Sequence, residues 1–210
     1  MTWRGPATLG LLLALGVGSG LAVSTAATSP SDLGGTAAPV AAQSPSLPVD
    51  PAPEFVADPT TAPLATTLPL VARRVGRGAD VVELSVPRGW IRNNLAEDEW
   101  TWRPENQPTY AYVMRVEQVR GDRDPISRVL ATRKVALDED EVNLEFVSET
   151  ADSLHFTYTA DDHLRHGLLT WVPVPGTSTA QVEVAISGRD VDVAGMQDLI
   201  ERVAASVSME

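Results

Sequence analysis

The stretch HFTYTADDHLRHG, residues 155–167, holds all three histidines of the chain beside two adjacent aspartates. Imidazoles next to carboxylates are the components of a zinc site or of a general-base dyad. The spacing argues against both. Phe156 and Tyr158 alternate with His155 and Thr157, which reads as a strand running into Ala160-Asp161-Asp162-His163. A short turn there returns the chain through Leu164 to Val174 as a hairpin, with His163 at its tip and His166 three residues on. An odd separation puts those two imidazoles on opposite faces of a regular strand. Zinc needs three or four ligands converging at about 2.0–2.2 Å. The stretch reads as a solvated hairpin, and no metal ligand is assigned in it.

Other candidate chemistry is thin. Asp138-Glu139-Asp140-Glu141 lacks the alternating carboxylates and the turn glycine of a calcium loop, and four consecutive acids repel one another, so a solvated loop is expected. Neither a Gly-x-Ser-x-Gly elbow nor a Walker loop occurs, nor a Gly-x-Gly-x-x-Gly after a strand. Gly76-Arg77-Gly78 reads as a flexible entry to the first strand. Trp100 and Trp102 share one strand face, which suits either a core or an exposed aromatic platform for sugar rings or a partner's side chains. No catalytic residue and no cofactor-binding residue is assigned, and no cofactor is expected.

The elements that would carry such groups are mostly strands. VVELSV (81–86) alternates and stops at Pro87-Arg88-Gly89, a turn leading to Trp90, which is expected to swing back and plug the fold. EWTWR (99–103), TYAYVMRVEQV (109–119), VNLEFVS (142–148), SLHFTYT (153–159), HGLLTWVPV (166–174) and AQVEVAIS (180–187) complete the set. ISRVLATRKVAL (126–137) follows Asp124-Pro125 and reads as a helix, with proline at its first turn. After SGRD (187–190), Asp192 can cap a helix in which Met196, Leu199, Ile200, Val203 and Val207 recur at three- and four-residue steps. Strands, a helix, a meander and a closing helix predict an α+β fold, an antiparallel β-sandwich with flanking helices.

Three segments resemble the PsbP-like fold family, to which the LpqN-type exported proteins of actinobacteria belong. They are VELSVPRGW, SLHFTYTADDHLRHGLLTWVPVPG and ISGRDVDVAGMQDLIERVAASV, and they span roughly residues 80–207. The resemblance implies a binding or assembly module without catalytic residues. The chain departs from LpqN-type proteins in having no cysteine, which removes the lipid-bearing residue as well as disulfides and thiolate metal sites.

Composition sets the surroundings. With 28 acidic against 16 basic residues the net charge is −12, and the arginines are scattered singly, so nucleic acid is not an expected partner. Arginine outnumbers lysine fifteen to one, a codon bias of high-GC bacterial genomes. Residues 1–26 carry Arg4 and then an uncharged run whose core, Leu9 to Val23, is short for a spanning helix of about 20 residues. They are expected to be a cleaved signal peptide or an N-terminal membrane anchor, placing the rest outside the cytoplasm, secreted or held at the outer face of the cytoplasmic membrane. Residues 27–74 are expected to be a disordered Pro/Ala/Ser/Thr-rich linker, with nine prolines and no lysine or arginine between Ala27 and Pro69. The folded domain is expected over 75–210. The functional expectation is an exported, non-enzymatic, monomeric binding or assembly module at the bacterial cell envelope, whose partner is an envelope protein or a glycan. The alternative is an envelope hydrolase or carbohydrate-binding protein.

Overall fold

A computed structural model describes residues 53–77, 81–105, 111–119 and 124–209. The chain divides into the units Met1–Asp50 and Pro51–Glu210, and every described residue belongs to the second. The expected signal or anchor over 1–26, and the expected linker up to residue 52, lie outside the described residues. No helix among the described residues is long and apolar enough to cross a membrane.

The architecture is α+β, as the pattern of elements predicts. The strands are β1 (Leu70–Val75), β2 (Val82–Pro87), β3 (Trp90–Asn94), β4 (Glu99–Pro104) and β5 (Tyr112–Gln118), then helix α1 (Ile126–Asp140). There follow β6 (Val142–Glu149), β7 (Ser153–Ala160), β8 (His163–Pro173), β9 (Ala180–Gly188), a 3-10 turn over Asp190–Asp192, helix α2 (Val193–Ala204) and β10 (Ser208–Met209). Seven strands form one antiparallel sheet in the order β3-β4-β5-β9-β8-β7-β6, and three form a second in the order β1-β2-β10. The β7–β8 hairpin turns on two residues with positive φ, Asp161 at 49° and Asp162 at 63°. That left-handed pair makes the turn whose twist matches the flanking strands, and aspartate tolerates it.

Each face of the large sheet has its own cover. On one face Trp100, Trp102, Met114, Val116, Leu168, Val184 and Ile186 pack against Val82, Leu84 and Val86 of the small sheet and against Met196, Leu199 and Val203 of α2. Met196, Leu199, Ile200 and Val203 of the stripe read from the sequence are thus the buried face of α2, whereas Val207 lies past the helix end at Ala204, partly buried against the same core. On the other face Ile126 and Leu130 of α1 pack with Leu154, Phe156, Leu169 and Trp171. Central strand β9 is covered on both sides, so even its polar Glu183 is buried.

Several expectations need correction. Of the two readings of Trp100 and Trp102 the core one holds, at 3% and 1% exposed, and the platform alternative falls. Trp90 is only half-buried, stacked on Tyr112 with ring centroids 5.6 Å apart. Asp138, Glu139 and Asp140 are the last turn of α1 rather than a loop, because β6 starts at Val142 and leaves the helix no other way to end. Gly76, with φ of 89°, follows a strand rather than preceding the first one, and opens the β1–β2 connection.

The expected domain boundary at residue 75 also moves. β1 lies inside the expected linker, and the chain ahead of it is strapped to the domain. Val56 N–H donates to Asp162 O at 2.9 Å, and the Arg165 guanidinium holds both Asp58 oxygens at 2.8 and 3.1 Å. Leu64 is 5% exposed and sits in the main core, while Thr67 N–H donates to Asp198 and Arg202 donates to Leu68 O. A proline-rich composition disfavours regular structure, but an extended strap needs none when side chains of the domain supply its partners.

Candidate functional site

A pleated sheet aligns every second residue of neighbouring strands into rows across one face. On the α1 face three such rows differ sharply in chemistry. The first runs Glu99, Glu117, Glu183, Trp171 across β4, β5, β9 and β8. The second runs Asn93, Thr101, Arg115, Ala185, Leu169, Leu154 from β3 to β7. The third carries Val113, Ser187, Gly167 and Phe156, and Arg103 at the end of β4 continues it.

The first row is an ionic clamp. Glu183, 1% exposed, accepts from Arg115 Nη2 at 2.5 Å and from Arg133 Nη2 of α1 at 2.9 and 3.0 Å. Glu99 and Glu117 lie 3.3 Å from Arg115 Nη1. Burial, together with the neighbouring Glu183, pushes the Glu117 carboxyl up despite the two guanidiniums that pull it down. A buried carboxylate must be paired, and Arg133 thereby fixes α1 over this end of the sheet.

Beyond the clamp the helix leaves the sheet uncovered, and the second and third rows floor a cleft of about 620 Å³. The floor is Val113, Ala185, Leu169, Gly167 and Ser187, small or apolar side chains that leave the hollow open. Ala136 and Leu137 of α1 form one wall, and Leu95, 64% exposed, forms a lip at the β3–β4 end. Phe156 closes the far end with its ring lying over Gly167. A Cβ added at Gly167 would come within 2.3 Å of that ring, so glycine is what lets the ring lie there. Beside it lies Tyr158, whose hydroxyl is raised above its ordinary range, by burial first. Asp140 and Glu141 border the same end, and burial followed by the adjacent Asp140 raises Glu141. A volume in the range of small-ligand pockets, an apolar floor and a few placed polar groups describe a binding cleft.

The histidines lie away from it. His155 and His166 project from adjacent strands to the opposite face, with Nε2 of the first 2.9 Å from Nδ1 of the second. His166 Nε2 is 3.2 Å from Asp190 Oδ1, off the hydrogen-bond direction. Burial, then the neighbouring His166, lowers His155. His163 contacts Val56 O at 2.8 Å and Asp58 at 3.4 Å, so the strap takes it. The hairpin is therefore packed rather than solvated. Among the described residues no three His, Cys, Asp or Glu side chains converge as metal ligands would.

A second polar cluster is structural. Arg189 and Asp192, 1% and 0% exposed, pair through two bonds of 2.7 and 2.9 Å; Asp192 also accepts from Leu64 N–H at 2.8 Å, and Arg189 donates to Thr61 and Ala62. Asp192 stands at the cap position of α2, but its carboxylate serves the strap and the arginine instead of the helix. Sequence reading missed both this cluster and the cleft. For the cleft the available signal was the small residues Gly167, Ala185 and Ser187 on the face opposite Trp100 and Trp102.

No protein-family model matches the chain, and no curated protein matches it. Among solved structures, a crystal structure from Bacteroides thetaiotaomicron VPI-5482 at 1.50 Å resolution aligns at 12% identity and a TM-score of 0.43. The alignment covers 61% of this chain and 45% of that one, so the chain spans under half of that protein's length. A likeness of that size carries no argument about function.

Proposed function

We propose that the chain is a non-enzymatic binding or assembly module of the bacterial cell envelope and that the cleft beneath α1 receives its ligand. The carrying observation is the cleft of about 620 Å³, with the small or apolar Val113, Ala185, Leu169, Gly167 and Ser187 on its sheet floor and charged side chains around them, among them Arg103, Arg115, Asp140 and Glu141. No histidine lines the cleft to act as a base there: His155 and His166 contact each other on the opposite face, and His163 is taken by the strap. The envelope location is supported by the apolar, glycine-containing segment of residues 1–26, and the module reading by the resemblance to PsbP-like proteins.

One observation favours the alternative, an envelope hydrolase: the raised Glu141 carboxyl beside Asp140 at the cleft's edge. Paired-carboxylate hydrolysis needs two groups flanking the scissile bond. These two are consecutive at one helix end, on one wall, so the binding reading is preferred. The test is native mass spectrometry of the full chain purified from an envelope fraction of its own cells. A bound small molecule, lost in Ala136→Trp, which fills the cleft from the helix side, is the expected result. Release of sugars from envelope glycan by the wild-type chain, abolished in Glu141→Gln, would install the hydrolase instead.

A further inference from the structure

Among the described residues that line the cleft, Arg103 is the cation that no carboxylate matches. Arg115 and Arg133 also border it, but both are held by Glu183 and flanked by Glu117. Arg103 is half-buried and has no ion-pair partner among the described residues. A guanidinium with no carboxylate on it is a ready partner for a bound carboxylate, sulfonate or phosphate, which it can hold through paired hydrogen bonds.

The layout of the floor says where the rest of such a molecule lies. From Arg103 the third row crosses Val113, Ser187 and Gly167 to Phe156, four strand spacings of about 4.8 Å, or roughly 19 Å. Apart from the Ser187 hydroxyl, the side chains of that row offer only apolar contact, and the row ends on an aromatic ring. Asp140 and Glu141 border the cleft, and Glu141 acts electrostatically on Tyr158, at the Phe156 end. An anionic group is repelled from that end and drawn to the other. Resting on the reading of the cleft as a ligand site, we infer that its ligand is an amphiphilic organic anion, bound with its charged group on Arg103 and its apolar body running toward Phe156.

Two dyes of nearly identical body separate the parts of this statement. 1-Anilinonaphthalene-8-sulfonate carries a sulfonate; N-phenyl-1-naphthylamine is the same ring system without it. Both are titrated by fluorescence into the full-length protein, into Ala136→Trp and into Arg103→Gln. A charge-assisted bond to arginine predicts that the sulfonate binds about tenfold more tightly than the neutral dye. Arg103→Gln is expected to abolish that preference while leaving the neutral dye's affinity unchanged, which also shows that the variant is folded. Ala136→Trp is expected to weaken both dyes. Equal affinities that Arg103→Gln does not change, with both dyes weakened by Ala136→Trp, would overturn the anion inference and leave the cleft standing. Failure of either dye to bind, or binding indifferent to Ala136→Trp, would overturn the cleft and the inference together.

Discussion

Two tryptophans on neighbouring strands show how position decides energy at the scale of a residue. Trp102 is 1% exposed between the sheets, whereas Trp90, beside it on the edge strand, keeps part of its ring in solvent and stacks on Tyr112. Trp102→Ala removes a fully enclosed indole, so a loss of about 3–5 kcal/mol is expected. Trp90→Ala gives up a stacking contact and part of a buried surface, so roughly 1–3 kcal/mol is expected. Urea denaturation of the two variants checks the order, and equal midpoints would mean that Trp90 is as enclosed as Trp102. In the sequence Trp102 sits in a polar alternation, between Thr101 and Arg103, and Trp90 follows a turn, between Gly89 and Ile91; neither setting says which indole is enclosed. What separates them is that β3 is an edge strand, a fact of topology rather than of local pattern.

At the scale of the element, the strap ahead of β1 is where composition and structure part most clearly. Alternation made β2, β4, β5, β7, β8 and β9 legible, and three- and four-residue spacing made α2 legible, because each buries a regular stripe. Residues 53–69 bury Leu64, lean Leu68 on the core, and attach mostly through polar contacts to residues more than a hundred positions away, such as Asp58 to Arg165 and Leu64 N–H to Asp192. No local period encodes that. The cleft was hidden for a related reason: the polar residues alternating with the tryptophans look solvent-facing, yet α1 returns over part of them. A chain that starts at residue 70 would leave the buried Arg189–Asp192 pair without Leu64 N–H and Thr61, and Arg165 without Asp58. Unpairing buried polar groups of this kind costs about 1–3 kcal/mol each, and emptying the Leu64 site adds about 2–5 kcal/mol. The truncated chain is therefore expected to melt far below a chain that starts at residue 53. Gly195→Ala gives an independent check, because its Cβ would lie 2.1 Å from Leu64 O and must lift the strap from α2. A chain from residue 70 with an unchanged melting temperature would show that the strap adds nothing to the fold.

The molecule as a whole titrates with terms of opposite sign, and His155 can be isolated among them. Its pKa is lowered in the fold, by burial first and by His166 second, from an ordinary value of 6.5. Between the folded value and 6.5 the unfolded chain holds a proton that the folded chain refuses. The stability contributed by His155 is therefore complete above 6.5 and is lost as the pH falls through the folded value. Glu117 and Glu141 act the other way. Both are raised above 4.5 by burial, so their contribution is present below 4.5 and lost as the pH rises through their folded values. The net charge of −12 adds self-repulsion that acidification relieves, so the wild-type profile alone cannot be read for one group. His155→Gln keeps a hydrogen-bonding side chain next to His166 Nδ1 and removes only the titration. The difference in melting temperature, variant minus wild type, is expected to grow in the variant's favour between about pH 7.5 and about pH 5, where the histidine term is lost. The carboxylate terms and the self-repulsion are nearly common to both proteins and cancel in that difference. A difference that stays flat across the range would mean that His155 takes its proton as readily in the folded protein as in the unfolded one, and that its packing against His166 carries no electrostatic cost.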